Sequence, residues 1–379
     1  MKRVYLDNAA TTPVDPEVIE AMIPVLQNNF GNPSSIHHAG RETRTLIEQA
    51  RKTVAGILNV SPSEIFFTSG GTEANNTALH CSVRDLGISH MITSPIEHHA
   101  VLHTLQELQK EGKIRLSLIK LDECGRIDMN DLERLLAANP GCMVSLMHAN
   151  NELGNLLPIQ EVGELCQKYN ALFHSDTVQT MGHYKIDLGK LPVHFVTCAA
   201  HKFHGPKGIG FLYVNSKIKI HPFIFGGAQE RNMRGGTENV YGIVGLAKAL
   251  QIANDHLDEH TNYIKGIKSY MIEQLRAAIP GVEFNGDPEG ESLYTVLNVS
   301  FPDTENSEML IFNLDIAGIA CSGGSACSSG SNTGSHVLKA VYKDSKRPAV
   351  RFSFSKFTTR EEIDFAVEKL KELFPVKVM

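Results

Sequence analysis

The sequence predicts an α/β protein: a large unit built on a largely parallel sheet with helices on both faces, and a smaller α+β unit. Three observations predict it. Short apolar runs alternate with helix-length amphipathic segments over the first half of the chain, the texture of strand–helix–strand units. The turn-rich stretch "IPGVEFNGDPEG" (279–290) ends that alternation, and a mixed order of strands and helices follows. The 379 residues suggest about two domains at roughly 100–200 residues each.

The elements read as follows. "EIFFTS" (64–69) is a strand, and "GGTEANNTALHC" opens a helix. "HMITS" (90–94) is a strand, followed by a helix over 97–110. "RLSLIK", "CMVSLMHA", "ALFHSD", "HFVTCAA" and "GIGFLYV" are further strands, most separated by helical patterns. Residues 238–278 read as helix with little interruption. Strands at 293–300 and 348–354 surround helices at 306–317 and 335–343, and a last helix covers 359–373.

Composition excludes several classes. Net charge is −6, with no long basic run, which argues against direct nucleic-acid binding. No run of 18 apolar residues could span a bilayer. "MKRVYLDNAATTP" turns polar after Leu6, so no secretory signal is expected. The seven cysteines are an odd number, scattered, with no C-x-x-C spacing. That favours a reducing cytoplasm over a disulfide framework or a zinc site.

Ligands of open α/β sheets sit beyond the carboxyl ends of the strands, so polar motifs there carry weight. In "SGGTEANN" (69–76) a strand ends, two glycines free the backbone and a helix begins. Its N–H groups and dipole suit an anion; the plain alternative is a glycine turn capped by Thr72. In "AAHKFHGPKGIG" (199–210), Lys202 follows a strand and suits a Schiff-base nucleophile, whereas Lys207 reads as a surface lysine. "FHSDTVQT" (173–180) puts Asp176 directly after a strand. A buried carboxylate must be paired. The pyridinium nitrogen of pyridoxal phosphate (PLP) is one such partner, and a helix N-cap is the alternative.

"IEHHAVLH" (96–103) holds three histidines in a spacing poor for zinc; one could stack on a flat cofactor, or all could be structural. Arg351 lies between Val350 and Phe352 in an apolar strand. Its fork suits a carboxylate ligand, with an internal ion pair as the alternative. "CSGGSACSSGS" (321–331) is built only of small residues around Cys327, an unusual setting for a residue that normally packs in a core.

Taken together and in order, "YLDNAATTP", "NPSSIHHAGR", "FTSGGTEANN", "EHHAVL", "NNELG", "HSDTVQ", "HKFHGPKGIG", "RGGTENV", "GSACSSGS" and "VRFSFSKFTT" resemble the cysteine desulfurases of the NifS/IscS type. These belong to the class V aminotransferase group of fold-type-I PLP enzymes. The matches run from residue 5 to residue 359. The resemblance implies the PLP-dependent transferase fold, with a large domain over 15–258 around a mainly parallel seven-stranded sheet. The small domain would comprise 1–14 and 259–379 and carry the cysteine loop at about 322–335.

The resemblance also implies roles. Lys202 would carry PLP as a Schiff base and move the substrate's α-proton. Asp176 would pair with the pyridinium nitrogen, and Gln179 would bond the ring's phenolic oxygen. His98 would stack on the ring and serve in proton transfer. Gly71, Thr72 and His201 would hold the phosphate, with Thr237 reaching in from a second subunit of a homodimer. Asn151 and Arg351 would bind the carboxylate of L-cysteine. Cys327 would take the sulfur as a persulfide, leaving alanine, and pass it to an iron–sulfur scaffold or another sulfur-acceptor protein. No resident metal is implied, only a passing contact of Cys327 with an iron–sulfur cluster during transfer. A loop of about 12–14 residues at ~3.3–3.6 Å each could carry its midpoint roughly 20 Å between the two places. Selenocysteine lyase or another class V PLP activity is the alternative enzyme reading, and a non-catalytic scaffold the alternative class.

Two departures stand out. The family commonly has a serine three residues before the lysine, where this chain has Ala199, so one phosphate donor is missing. "NTG" (332–334) replaces the "LEP" that often follows the cysteine loop, which predicts a less rigid downstream hinge.

Overall fold

The structure is a computed structural model and describes residues 2–303, 309–323, 334–343, 345 and 347–374. The chain starts with a short strand, β1 (Val4–Tyr5), then two helices, α1 (Pro16–Asn28) and α2 (His38–Ile57). Asp15 caps α1 by accepting from Glu17 N, and Pro16 occupies the first turn, where no N–H is needed. Strand–helix units follow: β2 (Ile65–Thr68), α3 (Gly71–Leu86), β3 (His90–Thr93), α4 (His99–Lys110), β4 (Arg115–Leu118), α5 (Met129–Ala138), β5 (Met143–Ser145), α6 (Ile159–Lys168) and β6 (Leu172–Asp176). β7 (Phe195–Ala199) and β8 (Gly210–Val214) complete the sheet.

The strand order is β2-β8-β7-β6-β5-β3-β4. Only β8 runs against the others, pairing antiparallel with β7 and β2. An antiparallel neighbour needs no crossover helix, so β7 and β8 are joined by a short connection that carries His201 and Lys202. The sheet is apolar on both faces, as a covered parallel sheet must be. Along β7 the side chains alternate: Phe195 packs with Leu79 and Leu105, while Val196 and Cys198 join the core of Ile47, Val54 and Phe173.

A second core is built around the antiparallel sheet β9 (Glu283–Asn285), β10 (Val296–Ser300) and β12 (Ala349–Ser353), in the order β12-β10-β9. Helices α9 (Leu257–Ala278) and α12 (Arg360–Leu373) cover it with Ile264, Met271, Ile363 and Leu370. Between these lie α10 (Leu310–Ile316), β11 (Ile319–Ala320) and α11 (His336–Val341). The N-terminal strand belongs here: β1 pairs with β11, and Val4 and Leu6 are buried in this second core. The chain then leaves it and runs back to the large sheet.

The differences from the sequence reading are local. The helical stretch 238–278 is two helices, α8 (Val240–Asp255) and α9, broken at His256. The turn-rich segment 279–290 contains β9, whose three residues are too few to show a period. Asp176 is the last residue of β6 rather than the one after it, and α4 starts at His99 with His98 as its cap. Most of the hinge at "NTG" lies outside the described residues; just after it Ser335 Oγ donates to Glu152 and caps α11, and His336 Nε2 bonds Glu97 O at 3.0 Å.

Before α8 the short turn α7 (Gln229–Asn232) holds Glu230, Arg231 and Asn232 at φ of 44°, 56° and 63°, strained values for side-chain-bearing residues. A buried ion pair keeps them there. Arg51 bonds the Glu230 carboxylate through both terminal nitrogens, at 2.8 and 2.7 Å, and Phe67 N donates to the same group. This fixes the course of the segment that leads to Thr237.

Candidate active site

Five connections leave the carboxyl ends of β2, β3, β5, β6 and β7 on the same edge of the sheet. Together with Asp176 at the end of β6 itself, they place Gly71, His98, Asn151 and Lys202 around a cavity of about 220 Å³, and the connection after β6 adds Gln179. Thr72, His201 and Arg351 line it too, and Ala199 is part of its wall. Lys207 is exposed and outside it.

Lys202 ends a 3₁₀ turn, Ala200–Lys202, directly after β7. Its Nζ donates to the carbonyls of Ala9 and Ala10, at 2.6 and 2.8 Å. Gln179 Nε2 donates to the same Ala9 carbonyl at 3.0 Å. The N-terminal segment therefore forms a wall of the cavity through backbone oxygens.

Asp176 is buried, and its carboxylate is held by two donors: Asn75 Nδ2 at 2.6 Å and Val178 N at 3.0 Å. No helix follows, so the N-cap alternative does not apply. Below it His174 is pinned between Ser145 Oγ and Thr197 Oγ1. Asn75 sits one helical turn into α3, and no role for it was foreseen.

α3 points its first turn at the cavity. Its cap is Gly70, at φ 150°, with no side-chain bond, so Thr72 is the second helical residue and its hydroxyl does not cap. Gly71 packs closely: a Cβ there would lie 2.8 Å from Val178 Cγ2, so the valine side chain would have to shift. His201 Nδ1 bonds the Thr11 hydroxyl at 3.1 Å, and burial, helped by Lys202 and Lys207, holds its pKa down to about 4. The helix end and a neutral imidazole donor make an anion-binding corner.

His98 caps α4, its Nδ1 accepting from Ala100 N at 3.1 Å, so the neutral ring carries its hydrogen on Nε2. Burial pushes its pKa below the ordinary imidazole value; Lys202 acts in the same direction and Asp176 opposes them. Arg351 on β12 is 1% exposed. It donates to Asn151 O at 3.0 Å and forms an ion pair with Asp7 at 2.8 Å. The internal ion pair is thus present, and the guanidinium still lines the cavity.

Two predicted residues are not brought together with these. Thr237 is exposed and does not line the cavity in this chain. Cys327 lies outside the described residues, as do most of 322–335. Among the described residues no group of three or more His, Cys, Asp or Glu side chains could hold a metal, and no helix is long and apolar enough to cross a membrane.

The buried imidazoles give a stability prediction. His148, His174, His183, His201 and His204 are each held down to about 4, primarily by burial. Unfolded histidine titrates near 6.5. Between pH 6.5 and 4 the unfolded chain therefore binds more protons than the native one, and stability falls as pH falls. Glu97 and Glu152, raised by burial, act in the opposite sense but are fewer. The urea midpoint at pH 5 should lie well below that at pH 7; an unchanged or higher midpoint would contradict the neutral assignment.

The aminotransferase class-V family model matches residues 4–365. A cysteine desulfurase IscS of Dictyoglomus turgidum is 43% identical over 389 residues, covering 100% of this chain and 98% of the relative. The putative cysteine desulfurase IscS 1 of Bacillus subtilis is 42% identical over 379 residues, covering 98% and 99%. Among solved structures, a NifS-like protein superposes with a TM-score of 0.90 at 38% identity, covering 98% of this chain and 99% of its own. SspA in complex with cysteine gives 0.82 at 31% identity, covering 94% and 100%.

Proposed function

We infer that this chain, which belongs to the aminotransferase class-V family, is a PLP-dependent cysteine desulfurase. One observation carries the reading: a single cavity joins a lysine amine, a buried carboxylate held by two donors, and a helix N-terminus that begins at Gly71.

These residues fit PLP. Lys202 would hold its aldehyde carbon as a Schiff base. The Asp176 carboxylate, oriented by Asn75 and Val178 N, would pair with its ring nitrogen and hold it protonated. Gln179 would bond the phenolic oxygen, His98 would stack on the ring, and Gly71, Thr72 and His201 would hold the phosphate. When bound, PLP supplies an electron sink that labilises bonds at the substrate's Cα and Cβ.

The chain's own residues do the rest. Arg351 and Asn151 bind the carboxylate of L-cysteine and so orient it. Lys202 takes the proton from Cα and returns it. The hydrogen on His98 Nε2 is the one that ring can give. The Cys327 thiolate attacks the substrate sulfur; an S–S bond forms, the Cβ–S bond breaks, and protons delivered to carbon complete alanine. The persulfide left on Cys327 then passes to a sulfur-acceptor protein such as an iron–sulfur scaffold. Ala199 in place of a phosphate donor leaves more of the phosphate to the α3 amides, His201 and Thr237.

A homodimer with Thr237 crossing to the partner is part of the reading. Supporting it, Ile19, Ile23 and Leu26 form an exposed apolar stripe on α1 that continues to Phe30 and Ile36, which are 87% and 91% exposed. The two apolar cores support the division near residue 258 into a large and a small domain. A cytoplasmic site of action is supported by Cys81, Cys124, Cys142, Cys166, Cys198 and Cys321, all of which are free thiols.

The test is direct. Purified protein supplied with PLP should absorb at roughly 400–430 nm. With L-cysteine and a reductant it should release equal amounts of alanine and sulfide. A protein that takes up no PLP, or takes it up and leaves L-cysteine unchanged, would refute the reading.

A further inference from the structure

Arg351 is the cation at the substrate end of the cavity, and one of the two groups that hold it in place, Asp7, is not among the residues that line the cavity. A guanidinium has five donors in one plane. Here one terminal nitrogen donates to Asn151 O at 3.0 Å and the other to Asp7 Oδ1 at 2.8 Å, while Nε is buried with no partner among the described residues. The same Asp7 oxygen accepts from Ser322 Oγ at 3.0 Å. Ser322 in turn exchanges two backbone bonds with Arg351, at 2.7 and 3.2 Å. Asp7 itself is fixed by the bridge it forms with Ser353, two residues beyond Arg351 on β12. One carboxylate from the N-terminus thus sets the plane of a buried cation on β12.

We propose that Asp7 is a positioning residue for substrate-carboxylate recognition: it neutralises Arg351 and fixes the plane of its fork at the cavity wall. The inference rests on the reading that the cavity binds an amino acid. A fork recognises a carboxylate well only when its plane is held before the ligand arrives. A buried cation without a partner turns to another acceptor. Asn151 O alone fixes one end of the group and leaves it free to rotate. Asp7 supplies the second point and touches neither substrate nor cofactor.

The experiment compares two ligands of the holoenzyme, L-alanine and ethylamine, which differ only by the carboxylate. Each is titrated while the absorbance of the bound cofactor is followed, and the ratio of their dissociation constants is the readout. In Asp7→Ala the preference for alanine should fall about tenfold, with ethylamine binding as in wild type. In Asp7→Asn, which keeps the shape and an acceptor oxygen but not the charge, it should fall about threefold; this isosteric variant decides the matter if the alanine variant does not fold. An unchanged ratio, or an equal loss for both ligands, overturns the proposal. Tighter alanine binding overturns it too, because Asp7 would then be a competitor for Arg351. A wild-type holoenzyme with no spectral response to L-cysteine would instead overturn the functional reading beneath it.

Discussion

Lys202→Ala should lose cysteine turnover by a factor on the order of 10⁴ or more, together with the visible band of the bound cofactor, while the protein stays folded. The covalent attachment and the proton carrier at Cα are the same amine, so one substitution removes both. Its partners include the Ala9 and Ala10 carbonyls, which border a cavity open to water, so their loss of a donor costs little stability. Lys207→Ala, exposed and outside the cavity, is the control and should change neither colour nor rate. Absorbance and alanine release read the two effects separately. A Lys202→Ala protein that is yellow and active would break the assignment of this lysine.

Cys327→Ala should keep the colour and the spectral response to L-cysteine, yet release almost no alanine and form no persulfide. Binding and α-proton removal need Lys202, whereas sulfur removal needs a thiolate to receive it. Five of the six other cysteines are poorly suited. Burial pushes the thiols of Cys81 and Cys142 up to about 11 and that of Cys321 up to about 12, and raises Cys166 and Cys198 as well. Cys321 directly follows β11 and packs beside the second core, so Cys321→Ala should cost modest stability and little activity. Mass spectrometry after brief exposure to cysteine should find the added sulfur on the peptide containing Cys327. Sulfur on Cys321 or Cys198 instead would sink the acceptor argument and leave the fold and cofactor reading standing.

Much of the site was legible because its residues sit where strands stop. Lys202, Asp176, His98 and Gly71 each lie at such a point, and apolar runs followed by polar residues mark those points in one dimension. What escaped was what depends on threading. The Ala9 and Ala10 carbonyls are backbone groups and leave no side-chain signature. Asn75 is one of two adjacent asparagines in "EANN"; which of them meets Asp176 depends on the helix phase and on a strand 101 residues away. Asp7 lies 344 residues from Arg351. Thr72 was read as a possible cap because threonine commonly caps, but Gly70 reaches a φ of 150°, a backbone geometry that threonine rarely adopts, and takes the position. The break at His256 was hidden because both flanking segments keep a helical period.

The placement of the first ten residues also bears on how the molecule is made. Val4 is paired with Ile319, Asp7 with Arg351, and Asn8 and Ala9 with Ser353. On the ribosome these partners arrive more than 300 residues later. At about 5–20 residues per second, Ser353 is added roughly 8–30 seconds after Lys202. During that interval the central sheet can form, but the segment that carries the Ala9 and Ala10 carbonyls lacks the bonds that Ser353 makes to Asn8 and Ala9. Residues 8–9 and Ser353 meet beside the cavity wall, so loss of either segment should be felt first as a failure to load the cofactor.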